Sequence, residues 1–310
     1  MRAITIDGPD NNPALREDLP APTPADNEVL VRVHASSANP VDNSIAAGLL
    51  AQMGVEYEYP VTLGRDYAGV VEHAGAAVSG FKAGDEVFGF LLHANPTARD
   101  GAWGELVAVT EELSIAPVPE GVDLATAGAA PLAGIAALTL VDTLDLSEGD
   151  VLLIAGATGG VGSLAAQLAA QAGARVIAPA LPEDETFLRE LGVSDVIPRD
   201  GDVAEAVRDL VPDGVDALID LVNYTPGTYD AALKNGARVA SSTGAAGEGP
   251  GRTNIMAAPT PENLQRLGAL LVGGSLRIPV QATYDLTEAP QALAALTGEH
   301  TQGKLAIKVG

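Results

Sequence analysis

The chain contains no cysteine. That absence excludes disulfides, thiol catalysis and thiolate zinc sites together, and it leaves no mark of a redox compartment. Basic residues are scarce as well, 17 Lys and Arg against 41 Asp and Glu. The net charge of −24 would repel phosphate backbones and anionic lipid, so neither nucleic acid nor a membrane surface is an expected partner. Such acidity reads as a solvation trait rather than a ligand trait. No apolar run reaches membrane-spanning length without a glycine, proline or charge. Met1 leads straight into Arg2-Ala-Ile-Thr-Ile6, a strand-like alternation with no basic n-region or apolar h-region. No secretory signal is expected, and a cytoplasmic location follows by default.

What is present is enough for two packed domains. At 310 residues the chain exceeds one ordinary domain, and 47% hydrophobic against 19% charged residues leaves little room for extended disorder. Up to about residue 121, short β-branched runs alternate with turn residues: 29–33, 69–72, 86–88 and 105–109. This predicts a β-rich domain. From residue 122 to 280 the rhythm becomes strand and helix in turn, the pattern of a doubly wound parallel sheet. Expected strands are 151–155, 175–178, 195–197, 215–220 and 238–241, with a last strand at 276–280. Expected helices are 163–172, 185–191, 203–210, 228–233 and 261–271. Glycine and proline cluster between 244 and 261, which predicts a loop. The tail, a helix at 287–296 and a strand at 304–309, returns to the first domain, so residues 281–310 complete it. The fold class is α/β.

One segment points to a ligand. Val151 to Ala155 has the length and apolarity of a buried parallel strand, and Gly156, Gly159 and Gly162 follow at every third residue before an alanine-rich helix. A backbone that turns tightly there, ahead of a helix N-terminus, suits a dinucleotide pyrophosphate. Ala157, Thr158, Gly159, Gly160, Val161 and Gly162 are therefore candidate cofactor-binding residues. The alternative is a strand-to-helix turn that binds nothing.

Seven short motifs occur in one order along the chain: Asn39-Pro-Val-Asp42, the stretch from Leu63 to Val71, Lys82 to Val87, Gly101 to Glu105, Pro131 to Gly134, the glycine turn, and Gly303-Lys-Leu-Ala-Ile307. Together they resemble the medium-chain dehydrogenase/reductase superfamily, in its zinc-independent quinone oxidoreductase (zeta-crystallin-like) type. The resemblance implies a GroES-like catalytic domain, a Rossmann domain inserted between the chain ends, an active cleft where they meet, and a homodimer paired through the outer Rossmann strand, here 276–280. Zinc-dependent relatives carry a cysteine at the place of Asn39 and a histidine at the place of Arg65. No metal is expected, and His34, His73, His93 and His300 have no ligand spacing.

Asn39, Asp42 and Tyr67 are the catalytic candidates. The resemblance puts the Asn39 amide in the cleft, where it can donate to a developing oxyanion or merely shape the turn before Pro40. Asp42 can take part or hold the cleft loops. Tyr57, Tyr59 and Tyr67 can supply a proton, stack on a ring, or pack. Arg65 and Asp66 can be catalytic or form an ion pair bracing the domains, and Ser44 stands where several quinone reductases have a tyrosine. For the cofactor, the end of the second Rossmann strand lacks the acid that grips NAD ribose, and Glu183 follows Pro182 into the next helix start. NADPH is expected over NADH. Arg199 lies where related reductases contact the 2′-phosphate, with pairing to Asp200 or Asp202 as the alternative. Asn223, Ser241, Ser242 and Thr243 fall where the family lines the ribose and nicotinamide.

Without a Lewis acid, a simple ketone loses its main polariser, whereas a quinone or α,β-unsaturated carbonyl spreads the added charge by conjugation. The expected activity is NADPH-dependent reduction of a quinone or enone. Alternatives are a pathway-specific enoyl reductase or tailoring enzyme, and a crystallin-like nucleotide-binding protein with little turnover.

Overall fold

The computed structural model describes residues 1–9, 11–52, 54–92 and 97–310, so His93 lies outside the described residues. Two units emerge, Met1–Leu132 with Ala258–Gly310, and Ala133–Ala257. Residues 122–132 and 258–280, expected in the dinucleotide-binding domain, belong with the β-rich unit. The glycines explain why. A Cβ on Gly128 would lie 2.7 Å from the Ala35 backbone, and one on Gly268 would lie 2.8 Å from Pro119. Both helices are pressed onto that unit.

In the first unit the chain runs through β1 (Ala3–Ile6), β2 (Ala14–Arg16), β3 (Glu28–Ala38), α1 (Pro40–Ala46), α2 (Leu49–Gln52), β4 (Val61–Thr62), β5 (Asp66–Ala74), β6 (Glu86–Phe90), β7 (Leu106–Thr110), β8 (Ala116–Pro117), α3 (Leu124–Ala129) and the first turn of α4 (Pro131–Leu144). The second unit holds β9 (Val151–Ala155), α5 (Gly160–Gln171), β10 (Arg175–Ala180), α6 (Glu185–Glu190), β11 (Asp195–Pro198), α7 (Val203–Leu210), β12 (Val215–Asp220), β13 (Leu233–Ser241) and β14 (Arg252–Asn254). The chain then returns through α8 (Pro261–Leu271), β15 (Val280–Asp285), α9 (Ala289–Gly298) and β16 (Lys304–Lys308).

The first unit is built on a sheet ordered β15-β16-β3-β5-β6-β8, with β7 also paired to β3, beside a three-stranded sheet β2-β1-β4. β3 is central to it. Val29, Val31 and Val33 face the core while Arg32 is exposed, the alternation of a sheet with one wet face. From Ala35 to Ala38 every residue is buried, because β16 pairs antiparallel along that stretch. Ser36 and Ser37 are thereby enclosed.

The second unit is a parallel sheet ordered β11-β10-β9-β12-β13-β14, with Leu153, Ile177, Leu218 and Val239 in its core. Its strand order and direction are those of a Rossmann-type sheet, and the chain is α/β as expected. Four local expectations differ. Helix α5 begins at Gly160, a turn before Ser163, because the glycine turn already closes at Gly159. The helix expected at 228–233 is a single 3-10 turn, Asp230–Ala232, running directly into β13. The 244–261 segment is not all loop, since β14 pairs parallel with Val239–Ser241 and takes the sixth place. The strand expected at 276–280 is absent. Chain from Val280 instead pairs with β16 in the first unit, so the parallel sheet ends at β14 beside β13 and at β11 on its other edge. No helix among the described residues is long and apolar enough to cross a membrane.

Candidate active site

Each unit contributes its own group of polar residues. In the second unit they ring the carboxyl ends of the parallel strands, where ligands of such sheets bind. β9 ends at Ala155, and Gly156 takes φ +90°, a conformation that favours glycine. A Cβ on Gly162 would sit 2.0 Å from the Gly156 carbonyl oxygen, so α5 can lie against the turn only with glycine there. Gly159 differs. Its φ is −73°, and the nearest atom to an added Cβ is that same carbonyl, at 3.6 Å. Nothing inside the protein requires glycine at 159, and the space in front of it is open for a ligand. As the N-cap of α5, Gly159 has no side chain to satisfy the first-turn amides of Gly160, Val161 and Gly162. These amides and the positive helix end suit a diphosphate, so the turn fits the dinucleotide that the fold implies. Ala157 is buried beneath the turn, and Thr158 is half-buried.

Asn223 follows β12, its Nδ2 donating to Asp220 Oδ2 at 2.8 Å, while its carbonyl accepts from Thr243 Oγ1. Ser241 Oγ accepts from the backbone N–H of Thr243 at 3.0 Å and of Ala245 at 3.2 Å. The ends of β12 and β13 are thus stitched together, and Ser242 is exposed beside them. Arg199 follows β11, and its backbone N–H donates to Ala180 O, at the end of β10, at 3.2 Å. Its guanidinium lies 4.0 Å from Asp200, a loose exposed pair, and lines a hollow of about 430 Å³ with Asp202, Thr228 and Tyr229. No residue of the glycine turn lines that hollow. Glu183 is exposed within a 3-10 turn, Pro182–Asp184, and the buried Asp184 carboxylate accepts from Leu181 N–H at 3.0 Å.

In the first unit, Asn39 closes β3 and caps α1, its backbone N–H donating to Asp42 Oδ2 at 2.8 Å. Its carboxamide is 2% exposed. Nδ2 donates to Asp66 Oδ2 at 2.8 Å and makes only a marginal 3.5 Å contact with Ser37 O. Oδ1 accepts from Lys304 Nζ at 2.6 Å. Asp66 is the hub. Its Oδ2 also accepts from Ser37 Oγ at 2.5 Å and faces Lys304 Nζ at 3.4 Å, while Oδ1 accepts from the Leu132 N–H at the start of α4 at 2.7 Å. Lys304 is buried and completes its donors on Ala38 O at 3.4 Å.

The expected Arg65–Asp66 pair does not form, because successive residues of an extended chain point to opposite faces. Asp66 pairs with Lys304 instead. Arg65 is fully buried with its Nη atoms on the carbonyls of Leu92 and Thr62, at 3.2 and 3.4 Å, and its Nε has no partner. Burial lowers its pKa, with Asp42 the chief opposing charge. Asp42 is equally buried, and its Oδ1 has no partner. Burial pushes its carboxyl up to about 7, against the pull of Arg65 and the Asn39 N–H.

Tyr67, a catalytic candidate, is fully buried: its hydroxyl donates to Ser114 O at 2.6 Å, and burial raises its pKa well above the usual phenol value, an arrangement that suits packing better than proton transfer. Ser44 bonds back to Pro40 O at 3.3 Å within α1. Tyr57 and Tyr59 pack with ring centroids 5.7 Å apart, and Tyr57 donates to Ile45 O. Lys304 and Ser37 were not among the expected site residues. The signal was a lysine placed directly ahead of the apolar run Leu305-Ala-Ile307.

Residues 25–120 match the alcohol dehydrogenase GroES-like domain, and residues 191–307 match the zinc-binding dehydrogenase family. The chain is 30% identical over 312 residues to the quinone oxidoreductase of Sus scrofa, covering 94% of this chain and 92% of that one. The quinone oxidoreductase of Coxiella burnetii superimposes with a TM-score of 0.87 at 30% identity, covering 100% of this chain and 99% of the other. The Escherichia coli quinone oxidoreductase, solved in complex with NADPH, does so with a TM-score of 0.85 at 26% identity and full coverage of both. The chain belongs to the quinone oxidoreductase type of the medium-chain dehydrogenase/reductase superfamily and is an oxidoreductase.

Zinc is implied by one of those family descriptions, and the residues here do not suit it. The positions that the resemblance pairs with zinc ligands hold Asn39, whose amide oxygen accepts from an ammonium, and Arg65, a buried guanidinium with no lone pair to offer a metal. Among the described residues, no group of three or more His, Cys, Asp or Glu could hold a metal ion.

Proposed function

We propose that this chain is an NADPH-dependent reductase that delivers hydride to a quinone or an α,β-unsaturated carbonyl without a metal. The observation that carries the reading is Gly159, a glycine the fold does not need, in front of uncapped helix amides. The bound nicotinamide supplies the hydride, and the acceptor takes up a proton to give the hydroquinone or the saturated carbonyl. Gly160, Val161 and Gly162 hold the diphosphate by their N–H groups, and Asn223, Ser241, Ser242 and Thr243 lie on the rim that lines the ribose and nicotinamide. Arg199, loosely paired and anchored at the end of β10, takes the 2′-phosphate and favours NADPH over NADH.

Asn39 is the oxyanion donor. Its strong bonds to Lys304 and Asp66 leave one N–H with only the marginal 3.5 Å contact to Ser37 O, and that in-plane hydrogen is the one left to donate to an acceptor oxygen. One such donor is worth about 3 kcal/mol in a water-poor site. The donor chemistry at Asn39 and Arg65 supports a metal-independent reaction, with a conjugated acceptor delocalising the charge. On the same reading the chain is a homodimer, with β14 an available outer strand.

Calorimetry with NADPH and NADH, followed by NADPH oxidation with naphthoquinones and enones, tests the proposal. Submicromolar to micromolar NADPH binding with turnover of at least one acceptor class is expected. Binding of neither nucleotide at millimolar concentration would overturn it, and binding without any turnover would favour a crystallin-like role.

A further inference from the structure

We propose that Lys304 is a positioning residue for Asn39: its ammonium aims and polarises the carboxamide that the reductase reading makes the oxyanion donor. The inference rests on that reading only for what the amide then does. A carboxamide can be built with its oxygen and nitrogen exchanged, and here its surroundings decide between the two. The atom 2.6 Å from Lys304 Nζ must be the acceptor oxygen, because an ammonium only donates. The atom 2.8 Å from Asp66 Oδ2 must then be the nitrogen, because a carboxylate only accepts. Lys304 and Asp66 thus grip opposite ends of one side chain. A cation on the amide oxygen also draws electron density from the nitrogen and strengthens its remaining N–H as a donor.

The grip comes from three separate strands. Asn39 closes β3, Asp66 opens β5 and Lys304 opens β16, and β16 pairs Leu305 with Ala38 in register. Lys304 is held in turn by the turn ahead of it. Gly303 adopts φ +85°, and a Cβ there would meet Pro279 O at 2.3 Å, while the Lys304 N–H donates to that carbonyl at 2.8 Å. At 3% exposure, Lys304 is buried, and its removal to alanine leaves a cavity of the kind a small amine can fill.

The test uses the full-length protein carrying Lys304→Ala, assayed with NADPH and a naphthoquinone, with and without ethylammonium chloride, and with ethanol as the neutral control. The expected result is a roughly 10- to 100-fold fall in kcat, the scale on which a misplaced catalytic group is felt. The KM for NADPH should stay within about twofold, since the diphosphate is held by other residues. Ethylammonium should restore most of the rate and ethanol none. Unchanged kcat, or equal rescue by ethanol, would overturn the inference, because only packing would then matter.

A second readout is independent of turnover: the side-chain amide signals of Asn39 by NMR. They should be shifted and protected from exchange in the wild type, lose both properties in Lys304→Ala, and regain them with ethylammonium. If the wild type reduces no acceptor, the reductase reading fails while this readout still decides the lock, and retained protection in Lys304→Ala sinks it. Should Lys304→Ala not fold, the pair Asp66→Asn with Lys304→Met removes both buried charges and serves in its place. Recovery of both stability and full kcat in that double variant would also count against the positioning role.

Discussion

Asp42→Asn tests the reading of the buried acid. The Asp42 carboxyl titrates near 7 in the folded protein, against an ordinary value of 3.8, because burial opposes its charge more than Arg65 favours it. Below pH 3.8 the group is protonated in both folded and unfolded chains and contributes nothing to pH dependence. Between 3.8 and about 7 the folded state alone keeps the proton, so stability falls as pH rises, and above about 7 the loss is complete. At about 1.4 kcal/mol per pH unit, the interval from 3.8 to about 7 amounts to about 4 kcal/mol. That figure is an upper limit, because a carboxylate formed next to Arg65 can relax toward it or admit water. Asparagine keeps an oxygen for the Asn39 N–H but cannot ionise, and any cost of placing its NH2 where Oδ1 found no partner is the same at every pH. The assay is urea unfolding of both proteins at intervals from pH 4 to 8. The stability of the variant relative to wild type should climb by up to about 4 kcal/mol and level off above pH 7. Taking the difference removes the general acid–base response of a chain with net charge −24. A flat difference, or one that moves in favour of the wild type as pH rises, would show that Asp42 is an ionised partner of Arg65.

Three further outcomes follow from the geometry. Gly159→Ala should change stability by no more than about 1 kcal/mol and weaken NADPH binding at least tenfold, whereas Gly162→Ala should destabilise by about 1 to 3 kcal/mol, because its methyl meets the Gly156 carbonyl; calorimetry and thermal unfolding separate the two, and equal effects would contradict the assignment. Tyr67→Phe should cost about 1 to 3 kcal/mol by leaving Ser114 O unpartnered, with kcat unchanged; a large loss of kcat in a folded variant would return Tyr67 to the chemistry. Raising NaCl from about 10 mM to about 500 mM should raise the melting temperature by several degrees, since screening relieves the repulsion among excess carboxylates more than it weakens exposed ion pairs; a fall in melting temperature would mean those pairs dominate.

Elements with an unbroken period and a turn at each end were legible from the residues. β9, β12, α7 and α8 have the expected bounds, α7 being capped by the Asp202 side chain and α8 by Thr260. β14 was not, because Arg252-Thr-Asn254 carries no apolar residue and becomes a strand only by pairing beside Val239–Ser241. The glycine turn could be read because Gly156, Gly159 and Gly162 lie within one seven-residue stretch and their regular spacing is itself the signal. The Lys304–Asp66 pair joins residues 238 positions apart, and no local pattern announces such a partner. The same limit applied to Arg65 and Asp66. Adjacency in the chain suggested a pair, and the pleat of the strand turned them away from each other.

Because β3 is flanked by β16, the first unit is closed by chain made some 170 residues after Leu132. At the usual pace of a ribosome, about 5 to 20 residues per second, its core strand waits on the order of ten seconds or more for its neighbour, while Ala133–Ala257 has already emerged as a continuous block. Birth order and completion order are therefore inverted. The half that starts first is finished last, and Asn39 acquires its fixed orientation only when that late strand slots into place.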